Sequence, residues 1–244
     1  MPKSNIDQAR DLLIGDGKTP LKLEYFPIEG LAEQVRIALA VADVPFDDIR
    51  IGYDEWGEKK STTRHGQLPE MTLPNGVVVT ESMAMLRLAG EADPEGKLYP
   101  SDLAARVKVE GILGLVEDMA RAWRPSLFVF HRPELLGHPS SDKWENDIKV
   151  ATVKKVRSNF VDKGLPRFME YFTNYIKESG YKYLAGEDLT IADIAAYQQI
   201  SYFKKGVADY VPKVCLDPFM EVNEWMERVI SHPKIASYKA SKAK

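Results

Sequence analysis

Leu21-Lys-Leu-Glu-Tyr-Phe-Pro-Ile-Glu-Gly30-Leu-Ala-Glu-Gln-Val-Arg36 is the stretch that decides the fold. Residues 21 to 26 alternate apolar and polar side chains and end in two aromatics, which predicts a half-buried strand, and Pro27 stops it. From Leu31 to Val41 the apolar positions Leu31, Val35, Ala38 and Leu39, continued by Ala42, recur at helical steps and predict an amphipathic helix. A strand therefore runs directly into a helix. Downstream, Phe46 to Ile51 alternates again after Pro45, and Glu70 to Leu73 and Val77 to Thr80 flank Asn75-Gly76, a strong hairpin signal. Glu81 to Leu88 reads as a second helix.

The order β-α-β, then β-β-α, over about eighty residues is what a thioredoxin-like domain needs. Asp93, Pro94, Gly96 and Pro100 then mark a change of character, because the strand signals stop and long helical patterns begin. Leu103 to Trp123 and Asn146 to Ser179 are long enough for paired helices, with Pro125, Pro133 and Pro139 interrupting the chain between them. Thr190-Ile-Ala-Asp193 is a capping box opening a helix through Ile200, and Pro218 to Ile230 reads as the last clear helix. The fold class is α/β plus all-α. The domain reading is an N-terminal extension (1–20), a thioredoxin-like domain (21–93), a linker (94–102) and an all-helical domain (103–244). The extension, with Gly15, Gly17 and Pro20 behind a short amphipathic stretch, reads as loosely attached.

Composition excludes several classes of function. With 244 residues, 44% of them apolar, the chain can bury one or two cores. Lysine plus arginine number 33 against 36 acidic residues, a formal charge of −3, with no basic block to engage phosphates, so nucleic acid is not an expected partner. No apolar run approaches the ~20 residues of a spanning helix, and Met1 to Arg10 has no signal-peptide core, so a cytoplasmic protein without a membrane partner is expected. Cys215 is the only cysteine, which rules out an intrachain disulfide, a CxxC pair and a cysteine-rich metal site; no metal is expected. Thiol chemistry has to come from a substrate.

In a thioredoxin-like domain the reactive group sits where the first strand meets the first helix. No serine lies between Ser4 and Ser61, so the hydroxyl candidates there are Tyr25 and, upstream, Thr19. Taken alone, Tyr25 is also readable as an ordinary strand aromatic, and Ser82 as a plain helix cap.

The wider pattern is Tyr25-Phe26-Pro-Ile-Glu-Gly30-Leu-Ala-Glu33-Gln-Val-Arg36, then Trp56, Lys60, Gly66-Gln67-Leu68-Pro69 and Glu81-Ser82-Met-Ala84. It resembles the cytosolic glutathione transferases, tyrosine-type, and is closest to the sigma class. The strong part covers residues 21 to 90; the helical half matches in Leu184-Ala-Gly186, Thr190-x-Ala-Asp193 and His232-Pro233. The resemblance implies a homodimer that conjugates the thiolate of glutathione, its co-substrate, to small apolar electrophiles in detoxification. It makes Tyr25 the catalytic residue, and it gives the glycine carboxylate of glutathione to Trp56 and Lys60. Gln67, Leu68 and Pro69 become the backbone clamp, with a cis Leu68–Pro69 bond, and Glu81 with Ser82 grips the γ-glutamyl end at a helix N-terminus. Asp118 would reach glutathione in the neighbouring subunit, with Glu117 as its alternative, and Phe26, Trp123 and Phe128, with Phe130 nearby, are candidates for the electrophile pocket.

Two departures stand out. The arginine common after the Gly30 position is Leu31 here, and Glu81 replaces the glutamine of the closest classes, where a carboxylate can pair with the γ-glutamyl ammonium. Arg36 matches a helix arginine read as structural. Cysteine-type relatives, glutaredoxins and omega-class enzymes, are excluded by the missing N-terminal cysteine. The rival readings are a glutathione-dependent isomerase of the prostaglandin D synthase type and a non-catalytic glutathione-binding module, for which Leu31 is the best hint.

Overall fold

The computed structural model describes residues 3–180 and 182–242. Its four-stranded sheet has the order β2-β1-β3-β4. β1 (Leu21–Tyr25) lies at the centre, parallel to β2 (Phe46–Arg50) and antiparallel to β3 (Glu70–Thr72), while β3 pairs antiparallel with β4 (Val78–Val79). The β3–β4 turn falls at Asn75-Gly76, where Gly76 takes a positive φ of 84°. Alternate β1 residues Leu21, Leu23 and Tyr25 are buried, as a period of two requires. Tyr25, the last residue of the central strand, is thereby held where the chain turns into α2 (Ala32–Val41).

α3 (Trp56–Lys59) lies between β2 and β3, α4 (Ser82–Glu91) follows β4, and α5 (Leu103–His131) opens the all-helical part. α6 (Asn146–Asn159), α7 (Leu165–Glu178), α8 (Ile191–Ser201), α9 (Met220–Ile230) and α10 (Pro233–Lys242) complete it. The fold is a thioredoxin-like N-terminal domain joined to an all-helical domain. Asp193 is wholly buried and accepts hydrogen bonds from the Thr190 amide (2.9 Å), the Leu184 amide (2.7 Å) and Trp225 Nε1 (2.9 Å). The capping box thus ties the start of α8 to α9. None of the described helices is long and apolar enough to cross a membrane.

The structure corrects the sequence reading at five places. Residues 3–20 of the extension are not loosely attached: α1 (Asn5–Ile14) has a Ser4–Asp7 capping box, buries Ala9 and Leu13, and sends Arg10 to the carbonyls of Ala42 and Ala92, each at 3.0 Å. α2 is buried nearly all round, from Ala32 to Leu39, because α4 covers one side and α8 and α10 another; Leu31 lies outside the helix and is 54% exposed. Pro125 does not interrupt α5, which runs on to His131. A proline inside a helix costs about 3 kcal/mol; here Val129 packs with Trp144 and Val153, and Arg157 bonds the Ser126 carbonyl at 3.2 Å. The Asn146–Ser179 run is two helices joined by a π-turn at Phe160–Gly164, with Pro166 in the first turn of α7. Finally, α9 is not the last helix. Pro233 opens α10, whose lysines are held by partners in the first domain.

Candidate active site

Tyr25 is 7% exposed, and its hydroxyl oxygen accepts a hydrogen bond from the Leu31 amide at 3.2 Å. A phenol that accepts through its oxygen keeps its own proton free to donate elsewhere. Burial pushes this hydroxyl above the ordinary phenol value, and the Leu31 amide and the Arg36 charge offset only part of that, so Tyr25 is protonated at neutral pH.

The geometry depends on Gly30. Its φ is +43°, and a Cβ built there would stand 2.5 Å from the Tyr25 hydroxyl oxygen and 2.6 Å from Cε1, so the ring lies directly against the glycine. Arg36 anchors the same loop. Fully buried, it donates to Asp48 (2.8 Å), Glu33 (3.3 Å) and the carbonyls of Ile28 (3.3 Å) and Glu29 (3.2 Å), with its Cζ 5.8 Å from the Tyr25 ring centre.

The sequence candidates of the first domain fall into three groups. Phe26 stacks on Tyr53 and meets Trp56 edge-on, both at 5.2 Å between ring centres, so Trp56 stands beside the strand end. Lys60 is exposed and its Cε lies 3.4 Å from where a Gly66 Cβ would be, which places its chain along the loop leading to Gln67. Among the described residues Lys60 makes no ion pair, whereas its neighbour Lys59 is tied to Glu24 at 2.7 Å. The Leu68–Pro69 bond is cis; Leu68 is half-buried and Gln67 exposed.

At the third edge Glu81 adopts φ +68°, a conformation uncommon outside glycine, and the chain enters α4 at Ser82. Ser82 is buried, its hydroxyl takes a 3.4 Å hydrogen bond from Gln34 Nε2, and the first amides of α4 have no partner within the helix, which suits them to a carboxylate. Lys60 and the α4 start thus offer two positive groups that an anion can use.

The other candidates lie on α5. Trp123 is 3% exposed and packs against Phe160 (5.1 Å), Tyr202 (6.1 Å) and Phe203 (5.1 Å) in the helical core. Phe128 is half-buried on α5; Phe130 is exposed, with Lys149 and Arg157 over its ring. Asp118 is exposed on α5 and paired with Arg121, with Glu117 exposed beside it. Surface recesses along α6, one lined by Lys154, Ser158, Asp162 and Tyr210, lie among residues that include none of the Tyr25 cluster.

Sequence reasoning missed Gln34, which holds Ser82, and Gln198 on α8, which donates to the Gly30 carbonyl at 3.3 Å. The available signal was polar residues, Glu33, Gln34 and Arg36, in a helix otherwise built of small and branched apolar side chains.

A family model described as glutathione S-transferase, C-terminal domain, matches residues 143–242. Glutathione S-transferase 4 of Caenorhabditis elegans is 28% identical over 223 residues, covering 91% of this chain and 96% of that protein. Probable glutathione S-transferase 8 of the same organism is 30% identical over 181 residues, 72% of this chain and 77% of the relative. In fold, the chain is similar to the prostaglandin synthase D of Nilaparvata lugens, with a TM-score of 0.73 at 24% identity over 90% of this chain and 96% of that one. Fold, helical-domain signature and relatives that match nearly end to end agree, and the chain belongs to the glutathione S-transferase family.

Proposed function

We propose that the protein is a tyrosine-type glutathione transferase, closest to the sigma class, that conjugates glutathione to small apolar electrophiles. It is an enzyme, with glutathione as co-substrate. The observation that carries the reading is the Tyr25 hydroxyl, which accepts the Leu31 N–H and so has its proton available for the sulfur of glutathione. A free thiol of this kind has a pKa of about 8.5, and only the thiolate attacks. A phenol that stays protonated and donates to the anion lowers that value.

Lys60 and Trp56 take the glycine carboxylate, Gln67, Leu68 and Pro69 form the clamp on the cysteinyl backbone, and Ser82 with the start of α4 takes the γ-glutamyl carboxylate while Glu81 pairs its ammonium. Residues 21–93 are the glutathione-binding unit, 94–102 the linker, and 103–244 the unit that supplies the electrophile pocket together with Phe26. The molecule acts as a cytoplasmic homodimer in detoxification, with Asp118 reaching the partner's glutathione. This reading is supported by Tyr25 at the end of the central strand, Lys60 without an ion pair among the described residues, and Ser82 at the start of α4.

The test is Tyr25→Phe. One donor aimed at an anion is worth roughly 2.7 to 4 kcal/mol, about a hundredfold or more in rate, so conjugation should fall by that factor while glutathione binding stays nearly unchanged. Full turnover at neutral pH would remove Tyr25 from the mechanism. Following glutathione itself separates conjugation, which consumes it, from isomerisation, which returns it, and from binding alone.

A further inference from the structure

The segment that shapes the Tyr25 hydroxyl is pinned from two sides. Within the first domain, the carbonyls of Ile28 and Glu29 are held by Arg36, and Ile28 also by Arg50 at 2.9 Å. The other pins come from the helical domain. Lys205, just beyond α8, bonds one carboxylate oxygen of Glu29, and Lys239 on α10 bonds the other at 3.3 Å and Glu33 at 2.7 Å. Tyr238 reaches Glu33 at 3.4 Å, and Gln198 Nε2 donates to the Gly30 carbonyl at 3.3 Å. The next residue, Leu31, supplies the amide that meets Tyr25.

We infer that the helical domain sets the reactivity of the active site through this clamp: Lys205, Lys239 and Gln198 are positioning residues that hold Glu29-Gly30-Leu31 so that the Leu31 amide meets the Tyr25 hydroxyl. The inference rests on the assignment of Tyr25 as the thiolate's donor. The effect is one of alignment. A hydrogen bond weakens steeply with lost alignment, and Gly30 lies so close to the Tyr25 ring that any shift of the loop moves the hydroxyl as well. Lys239→Ala leaves Glu29 paired with Lys205 and Glu33 with Arg36, so what the segment loses is its tether to α10. Burial alone would lower the Lys239 ammonium, but its bonds and charge contacts with Glu33 and Glu29 outweigh that and hold it charged.

A clamp that acts through Tyr25 differs from one that merely braces the domains, because its effect needs the phenol. The experiment measures the titration midpoint of glutathione thiolate bound to the full-length enzyme by ultraviolet absorbance, with kcat and KM for glutathione toward an activated aryl halide. It does so for Lys239→Ala and Gln198→Leu, each in the native and the Tyr25→Phe background. Lys239→Ala should raise the midpoint by about one unit, a tenfold loss of thiolate fraction below it, and lower kcat at neutral pH by a similar factor, with KM within about twofold. Lys239→Arg should restore both. Gln198→Leu, which leaves the charges alone and removes a side-chain oxygen that is buried without a partner, should act in the same direction and carries the test if Lys239→Ala does not fold. In the Tyr25→Phe background both shifts should vanish. Shifts that persist there, or silent variants in an enzyme that Tyr25→Phe does cripple, overturn the inference alone. A Tyr25→Phe enzyme unchanged in midpoint and kcat overturns the catalytic reading and the clamp with it.

Discussion

Replacing Gly30 by alanine is the sharpest probe of how the site is built. The perturbation is one methyl group at a residue whose φ is +43°, where an L side chain costs roughly 1 to 2 kcal/mol. That methyl would stand 2.5 Å from the Tyr25 hydroxyl oxygen, 2.6 Å from Cε1 and 2.9 Å from Cζ, whereas non-bonded carbons rest at about 3.5 to 4.0 Å. The ring or the loop must therefore yield by roughly an ångström, and overpacking of this kind costs about 1 to 3 kcal/mol. Together the expected loss of stability is roughly 2 to 5 kcal/mol, read as a lower urea midpoint. Turnover should fall on the order of a hundredfold, because the Leu31 amide and the Tyr25 proton lose their alignment together. Adding Tyr25→Phe should cause little further loss of turnover yet leave the protein destabilised, since Cε1 remains in the way. A Gly30→Ala enzyme with native turnover and native urea midpoint would refute the argument that this glycine sets the phenol's position.

Two further outcomes are expected. Leu31→Arg should place a positive charge near the sulfur and move the activity profile to lower pH, because a cation favours the thiolate; identical titration midpoints of the bound thiol would show that the side chain at position 31, 54% exposed, does not face it. Asp118→Ala should weaken glutathione binding by roughly 1.5 to 3 kcal/mol in the dimer and have no effect in an engineered monomer, measured by calorimetry, whereas loss of affinity in Glu117→Ala alone would place the cross-subunit contact on the other residue.

Much of this protein was legible in order along the chain. Alternation in Leu21 to Phe26, the Asn75-Gly76 hairpin and the Thr190–Asp193 capping box are local signals, set by a side chain's own neighbours, and they named the strands, the turn and the start of α8 correctly. Tyr25 could be singled out by elimination, because few other residues at that strand end carry a reactive group. Where neighbours distant in sequence decide, local reading failed. Leu31 reads as part of an apolar face but stands at the position before the helix, and α2 is enclosed on more sides than its periodicity shows because helices from both domains cover it. Pro125 should have ended a helix, yet packing of the two turns beyond it outweighs the lost bond.

The sequence by itself determined which residue types could do the chemistry: a phenol without competing cysteine or serine, a lysine and a serine at the right spacing, and a glycine between strand and helix. Tertiary structure alone decided how that phenol is aimed. A backbone amide carries no sequence signature, so nothing in the letters tells that Leu31 serves Tyr25 through its N–H. Nor can they tell that Gln198, Lys205 and Lys239, some 170 to 210 positions away, converge on Glu29, Gly30 and Glu33, since such contacts exist only after the two domains have buried α2 between them.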